Sequence, residues 1–280
     1  MSKHIVEMLN QDLEGEHAAI IQYLTHAYSM GEGEVACEIE AIAREEMRHL
    51  DWLAETIVEL GGVPSMNRGM MRLGDHPVPT WMHNDVLQEE DAIVMYRKHI
   101  KAVTEPKVKR LLQRILSDEE AHHAAFSHLV EKVARKKMAD RTGPRGGRIA
   151  GMLNWGIEHE YTVVLQYLLH AYLAKDEEVK EELHDQAVNE MQHLGWLSEG
   201  MIDRKGTPRM EHTSIDRSRD MRDMLKADIA IERQVAAEYG RYTEEVKDKK
   251  LKQLLARIRD HEVYHDQVFS DHLKRLGKKK

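Results

Sequence analysis

Read for the order of its apolar and polar positions, the chain is one pattern written twice. Leu9-Asn10, Gln22-Tyr23-Leu24 and His26-Ala27-Tyr28 recur as Leu153-Asn154, Gln166-Tyr167-Leu168 and His170-Ala171-Tyr172. Trp52-Leu53 and Gly62-x-Pro64-x-Met66 recur as Trp196-Leu197 and Gly206-x-Pro208-x-Met210, all at an offset of 144. Beyond a long connection the offset becomes 143, where Tyr96, Ile115, Phe126 and Ser127 match Tyr239, Ile258, Phe269 and Ser270. Self-similarity at a fixed offset marks a repeated structural unit.

Each unit reads as four helices. The first is expected to place them at roughly 3–30, 34–61, 82–104 and 107–138, with ends uncertain by about 2–4 residues. Gly31-Glu32-Gly33 breaks the first pair, Gly61-Gly62-Val63-Pro64 ends the second helix, and Pro106 suits the first turn of the fourth. The second unit repeats the plan at roughly 149–174, 177–204, 217–246 and 249–276. The expected domains are residues 1–139 and 149–280, joined by a linker over 140–148 that contains Gly143-Pro144-Arg145-Gly146-Gly147.

Composition agrees with helices and narrows the chemistry. Only 2 Phe and 6 Pro occur among 280 residues, while Glu, Lys, Arg, Leu, Ala and Met abound. The net charge of −8 argues against nucleic acid as the main partner. Cys37 is the single cysteine, which excludes a disulfide framework and an iron–sulfur or rubredoxin-type centre. The N-terminal segment lacks a signal-peptide apolar stretch, and no apolar run approaches the roughly 18–20 residues of a membrane span. A cytoplasmic protein without membrane contact is expected.

The informative residues form two ladders. The first is Glu16, Glu46 with His49, Glu89, and Glu119 with His122; the second is Glu160, Glu190 with His193, Glu232, and Glu262 with His265. Glu16 lies 15 residues before Gly31 and Glu46 lies 13 after Gly33. At 1.5 Å per residue both stand about 20 Å from the hairpin turn, so they meet at one height. Glu89 and Glu119 straddle Pro106 in the same way. The longer step between Glu46 and Glu89 must run a connection along the bundle between two parallel helices. The expected fold is therefore all-α, two tandem four-helix bundles, each with one long crossover.

Glu and His at i and i+3 share a helix face. A lone Glu-x-x-His is usually a solvated pair, but six such residues at matching heights make the ligand set of a dinuclear carboxylate site. Four ionised carboxylates neutralise two divalent ions, and oxygen-rich ligation with one His per metal suits iron or manganese. The run Asp118-Glu119-Glu120-Ala121-His122-His123 allows two Glu-x-x-His pairs; only Glu119/His122 aligns with Glu262/His265. Tyr23 and Tyr167 follow Glu16 and Glu160 by seven residues, and Tyr96 and Tyr239 follow Glu89 and Glu232 likewise. Their expected role is to hydrogen-bond ligating carboxylates or supply electrons, against plain core packing. The other histidines, among them His76, His99, His123 and His261, are expected at the surface or beside ligands. His26 and His170 repeat and so share a supporting role.

At these residues the chain resembles the ferritin-like superfamily, and bacterioferritin in particular. The segments that carry the likeness are Leu9-Asn10 through Glu16 to His26-Ala27, Glu46-Met47-Arg48-His49, and Asp118-Glu119-Glu120-Ala121-His122. The resemblance implies that Glu46 and Glu119 bridge two irons, with Glu16 and His49 completing one and Glu89 and His122 the other. Glu190 and Glu262 would bridge in the second unit, with Glu160, His193, Glu232 and His265 as the remaining ligands. It implies oxidation of Fe(II) by dioxygen or hydrogen peroxide, drawing where needed on an external electron donor. It also places Met47 and Met191 where bacterioferritin carries a haem ligand; core packing is the simpler role in a chain with 16 Met.

Two departures shift the expectation. Neither unit has room for bacterioferritin's short fifth helix, and the two units are fused. Both favour a small homo-oligomer over a mineral-storing cage. The leading expectation is thus a di-iron oxidoreductase of ferroxidase or peroxide-consuming type. Iron storage or buffering, a di-manganese catalase, and a di-metal oxidase of an organic substrate are the alternatives.

Overall fold

Along the second helix the buried stripe runs Val35, Ile39, Ile42, Glu46, His49, Leu53, Ile57. Steps of three and four residues keep that stripe on one face of an α-helix, and the two ligand-type residues lie inside it. The chain folds accordingly. In the computed structural model, which describes residues 2–73, 78–136, 141, 143 and 146–278, the first unit comprises α1 (Ser2–Met30), α2 (Glu34–Glu59), α3 (Val78–Ala102) and α4 (Pro106–Lys136). The second comprises α5 (Arg148–Leu173), α6 (Glu177–Ile202), α7 (Met221–Glu245) and α8 (Lys249–Lys278). No strand occurs among the described residues. The fold is all-α, two tandem four-helix bundles.

The compact units are Met1–Thr142 and Gly143–Lys280. Residues 140, 142, 144 and 145 of the expected linker, 140–148, lie outside the described residues, as does His76. In each unit two helical hairpins, α1 with α2 and α3 with α4 (α5 with α6 and α7 with α8), supply most of the packing, and α1 meets α3 while α2 meets α4. Leu9, Leu13, Leu53, Ile57, Leu112, Ile115 and Phe126 are fully buried in the first core, with Leu153, Ile157, Leu197, Leu255, Ile258 and Phe269 in the second.

The crossover climbs beside the first helix, held by side chains that take up its backbone groups. Asn10 Nδ2 donates to the Val63 carbonyl at 3.2 Å, Gly69 N donates to the Glu14 carbonyl at 2.8 Å, and Arg72 N donates to Gln22 Oε1 at 2.6 Å. The second unit repeats the device with Arg209 N on Asn154 Oδ1, Thr213 N on Thr162 Oγ1 and Asp216 N on Gln166 Oε1. Backbone donors in an otherwise irregular segment thus find partners.

The expected helices agree with the observed ones to within a few residues. The largest differences are the starts of α3, at Val78, and α7, at Met221. Pro79 in the first turn of α3 tolerates the earlier start, because a first-turn residue needs no amide hydrogen. Asp220 caps α7 by accepting from the backbone of Arg222 and Asp223, which fixes the later one.

The two units end their second helix on the same turn with different residues. Gly61 has φ +79° and Gly62 N donates to the Ile57 carbonyl; Lys205 has φ +56° and Gly206 N donates to the Met201 carbonyl. A left-handed residue after a helix suits glycine, since a Cβ crowds the following carbonyl. Lys205→Gly is expected to stabilise the chain by about 1 kcal/mol, measurable as a raised urea midpoint at unchanged slope. An unchanged midpoint would contradict this.

Candidate metal centres

At mid-height of each bundle the apolar stripes give way to carboxylates and imidazoles. Glu16 from α1, Glu46 and His49 from α2, Glu89 from α3, and Glu119 and His122 from α4 are all buried, 3% exposed or less. Glu160, Glu190, His193, Glu232, Glu262 and His265 are buried in the same way on α5 to α8. All twelve sequence-predicted residues therefore come together, six per unit.

Within each unit the six form two overlapping groups. Glu16, Glu46, His49 and Glu119 offer ligand atoms that lie within 4.8 Å of one another, and so do Glu46, Glu89, Glu119 and His122. Glu160, Glu190, His193 and Glu262, and then Glu190, Glu232, Glu262 and His265, repeat this. Two glutamates belong to both groups in each unit. Glu46 turns Oε2 toward His49 Nδ1, at 2.8 Å, and Oε1 toward His122 Nδ1, at 2.9 Å. Glu190 divides itself identically, with Oε2 2.7 Å from His193 Nδ1 and Oε1 2.7 Å from His265 Nδ1. Glu262 also presents one oxygen to each, at 3.1 and 3.4 Å.

Buried polar atoms ordinarily find hydrogen-bond partners. Here Glu46 Oε1, Glu89 Oε2, Glu119 Oε1 and His122 Nδ1 have none, nor do Glu190 Oε1, Glu232 Oε1, Glu262 Oε1 and His265 Nδ1. His122 Nδ1 and Glu46 Oε1 stand close without hydrogen-bond geometry, as atoms do that point at a common ion. The donor set, four carboxylates and two imidazole Nδ1 atoms, fits a pair of divalent iron or manganese ions.

Without that charge the cluster is strained electrostatically. Burial, then the charges of Glu119 and Glu46, push Glu16 well above the usual carboxylate range. Burial, then Glu46 and Glu119, do the same to Glu89. Burial would also raise Glu46, but the close imidazoles of His122 and His49 outweigh it and hold it at about 2. His122 is pushed up to about 9: burial works against this, and contacts with Glu46 and Glu45 prevail. Glu160 and Glu232 rise for the same reasons and Glu190 falls. Carboxylates packed this tightly share their protons with the imidazoles.

Three of the four tyrosines donate to carboxylates of the clusters. Tyr23 donates to Glu89 Oε1 at 2.5 Å, across the bundle rather than to Glu16 on its own helix. Glu16 accepts instead from Tyr96, and Glu160 from Tyr239. The Tyr167 hydroxyl is buried without a hydrogen-bond partner, and its ring packs edge-on against Phe269. Met47 and Met191, one residue beyond Glu46 and Glu190, are half-buried and lie outside the clusters.

Sequence reading missed several supporting residues. His26 and His170 each hold a buried aspartate, Asp85 and Asp228, at 2.8 and 2.9 Å, with Gln22 and Gln166 donating to the same carboxylates. Asp85 and Asp228 keep the 143 offset and precede Glu89 and Glu232 by four residues, a signal that was present. Behind the ligand histidines the units differ. Asp118 Oδ2 stands 3.5 Å from His49 Nε2 and Glu45 Oε2 stands 2.9 Å from His122 Nε2. In the second unit His261 Nδ1 meets His193 Nε2 at 2.9 Å. Groups that bond the far nitrogen of a ligand histidine set its orientation and basicity.

A four-helix bundle with one long crossover and paired carboxylate–histidine clusters at mid-height defines the class of carboxylate-bridged metal bundles. The chain belongs to the ferritin-like family: the ferritin-like domain matches residues 6–136 and again residues 150–278. Bacterioferritin of Desulfovibrio desulfuricans is 33% identical over 131 residues, covering 45% of this chain and 73% of that protein. A Mycobacterium tuberculosis bacterioferritin is 33% identical over 128 residues, 42% of this chain and 78% of its own length. The solved structure of Desulfovibrio desulfuricans bacterioferritin, which describes that protein's diiron site in different catalytic states, is 29% identical and covers 48% of this chain and 82% of that one, with a TM-score of 0.46. No described helix is long and apolar enough to cross a membrane.

Proposed function

We propose that the chain is a di-iron oxidoreductase that reacts Fe(II) with dioxygen or hydrogen peroxide at one dinuclear centre per unit. The supporting observation is the division of Glu46, and of Glu190, between two imidazoles, which prepares two adjacent ion positions spanned by one carboxylate. Glu119 and Glu262, which also belong to both groups of their units, would be the second shared carboxylates. Glu16 with His49 and Glu89 with His122 complete the two positions in the first unit, as Glu160 with His193 and Glu232 with His265 do in the second. Iron held there supplies one-electron exchange with dioxygen or peroxide.

The chain's own part is to hold and orient. Tyr96 and Tyr239 fix the terminal carboxylates of Glu16 and Glu160, and Tyr23 fixes Glu89. Protons released by Glu16, Glu89 and the histidines on ion binding leave the site neutral. The same donors suit manganese.

Iron storage in a bacterioferritin-like assembly is the second reading, favoured by the 33% identity to two bacterioferritins. Anaerobic addition of Fe(II), followed by dioxygen or peroxide, separates the two. The oxidoreductase reading expects fast Fe(III) absorbance that saturates near four ions per chain, with a small native assembly mass. Continued uptake of hundreds of ions into a large shell would replace it with storage. No Fe(III) signal with either oxidant would remove both.

A further inference from the structure

We infer that the first unit's centre opens onto a binding site for a small neutral organic molecule, whereas the second unit's centre is closed to one. A cavity of about 260 Å³ lies beside α1 and α3 under the crossover, and Glu16, Tyr23 and Glu119 form part of its lining. The buried cluster is thus its floor. An apolar cavity of about 150 Å³ is enough to take up benzene, so this one accepts a molecule of one ring with substituents.

The walls specify the class of ligand. Gly15 and Ala19 on α1, with Ala92 and Met95 on α3, supply the small and apolar part of its walls. The polar lining groups Glu14, Arg72, Gln88 and Asp91 are held in hydrogen bonds. Arg72 donates to Asp91 and, at 3.0 Å, to Gln88 Oε1. Glu14 Oε1 accepts from Ser65 Oγ at 2.5 Å and Asn67 Nδ2 at 3.3 Å. The lining is more apolar than polar, so a neutral ring carrying polar substituents suits it.

In the second unit the corresponding positions are bulkier. Gln11, Gly15, Ala19 and Ala92 become Trp155, His159, Val163 and Val235. Trp155 stacks on His159 with ring centroids 4.0 Å apart, and its edge meets Tyr239 and Tyr242 at 5.5 and 5.4 Å. Val163 and Val235 are buried. Larger side chains thus stand in the second unit at the positions where small ones line the first unit's cavity. We take the stacked Trp155 and His159 as a plug on the approach to Glu160.

The inference rests on the di-iron reading only in naming the floor, and its test runs on the full chain both metal-free and iron-loaded. The probe is 4-fluorophenol, followed by fluorine NMR line broadening. Wild type is expected to bind about one equivalent, and Gln11→Trp/Gly15→His, which copies the second unit, to weaken binding by about tenfold or more. Should that variant fold poorly, Ala19→Val must weaken binding as well, with metal content by native mass spectrometry unchanged. Trp155→Gln/His159→Gly is expected to add a second equivalent. Probe binding that is absent in wild type, or indifferent to both filling variants, overturns the inference, as does a filling variant that slows Fe(II) uptake alone. A chain that takes up no iron sinks the di-iron reading, and the metal-free titration then still decides the cavity.

Discussion

Glu46→Gln is expected to lower the iron content of the chain from about four ions to about two, and Glu46→Gln/Glu190→Gln to leave it near zero. The reasoning is local. Glu46 is the residue whose two oxygens face both imidazoles of its unit, so its loss removes a ligand from two ion positions at once. Gln fills the same space, and the bundle should stay folded. Native mass spectrometry of the loaded protein counts the ions directly. Stability should follow: an ion at about a thousand times its dissociation constant stabilises the native state by about 4 kcal/mol. The iron-dependent rise in melting temperature should therefore shrink in the single variant and vanish in the double. Four ions retained by the double variant would remove these clusters as the metal sites.

The second large effect is a dependence on pH that changes sign with metal. In the metal-free chain Glu16, Glu89, Glu160 and Glu232 are raised, burial first and neighbouring carboxylates next. A carboxylate raised on folding contributes stability that is complete below its unfolded value and lost as pH climbs through its folded one. His122, raised from 6.5 to about 9, behaves the same way over that interval. Glu46, held at about 2, already contributes fully above pH 4.5 and changes nothing here. The metal-free melting temperature should therefore fall between about pH 6.5 and pH 9. Metal binding releases the same protons, so the stabilisation by Fe(II) or Mn(II) should grow over the same interval. Calorimetric melts at three pH values, with metal and with chelator, check both slopes. A metal-free melting temperature that rises across the interval would contradict the shared-proton picture.

Much of this was legible because helices and ligands obey one period and the chain states it twice. Six ligand-type residues at offsets of 144 and 143 chose Glu119/His122 over its neighbour, and the structure brings that pair into the cluster. Residues whose partners lie on other helices were harder to read. Asp85 and Asp228 share the repeat offset, but what Asp85 does depends on His26 and Gln22, about sixty residues earlier in the chain. Tyr23 was placed with Glu16 by helix periodicity, and the bundle hands it to Glu89 instead. The cavity is the extreme case. Gly15 and Ala19 show what is missing, and missing volume has no pattern until the facing helix is in place.

A symmetric assembly of single-unit subunits has one gene sequence to serve every position, so any change falls on all copies together. Joining two units in one polypeptide removes that constraint. Gln11 and Trp155 occupy the same place in the repeat, yet they answer to separate codons. Each copy can drift while the other holds the original chemistry, and synthesis delivers the two versions in strict equality. Division of labour is then inherited with the chain itself and needs no sorting of subunits.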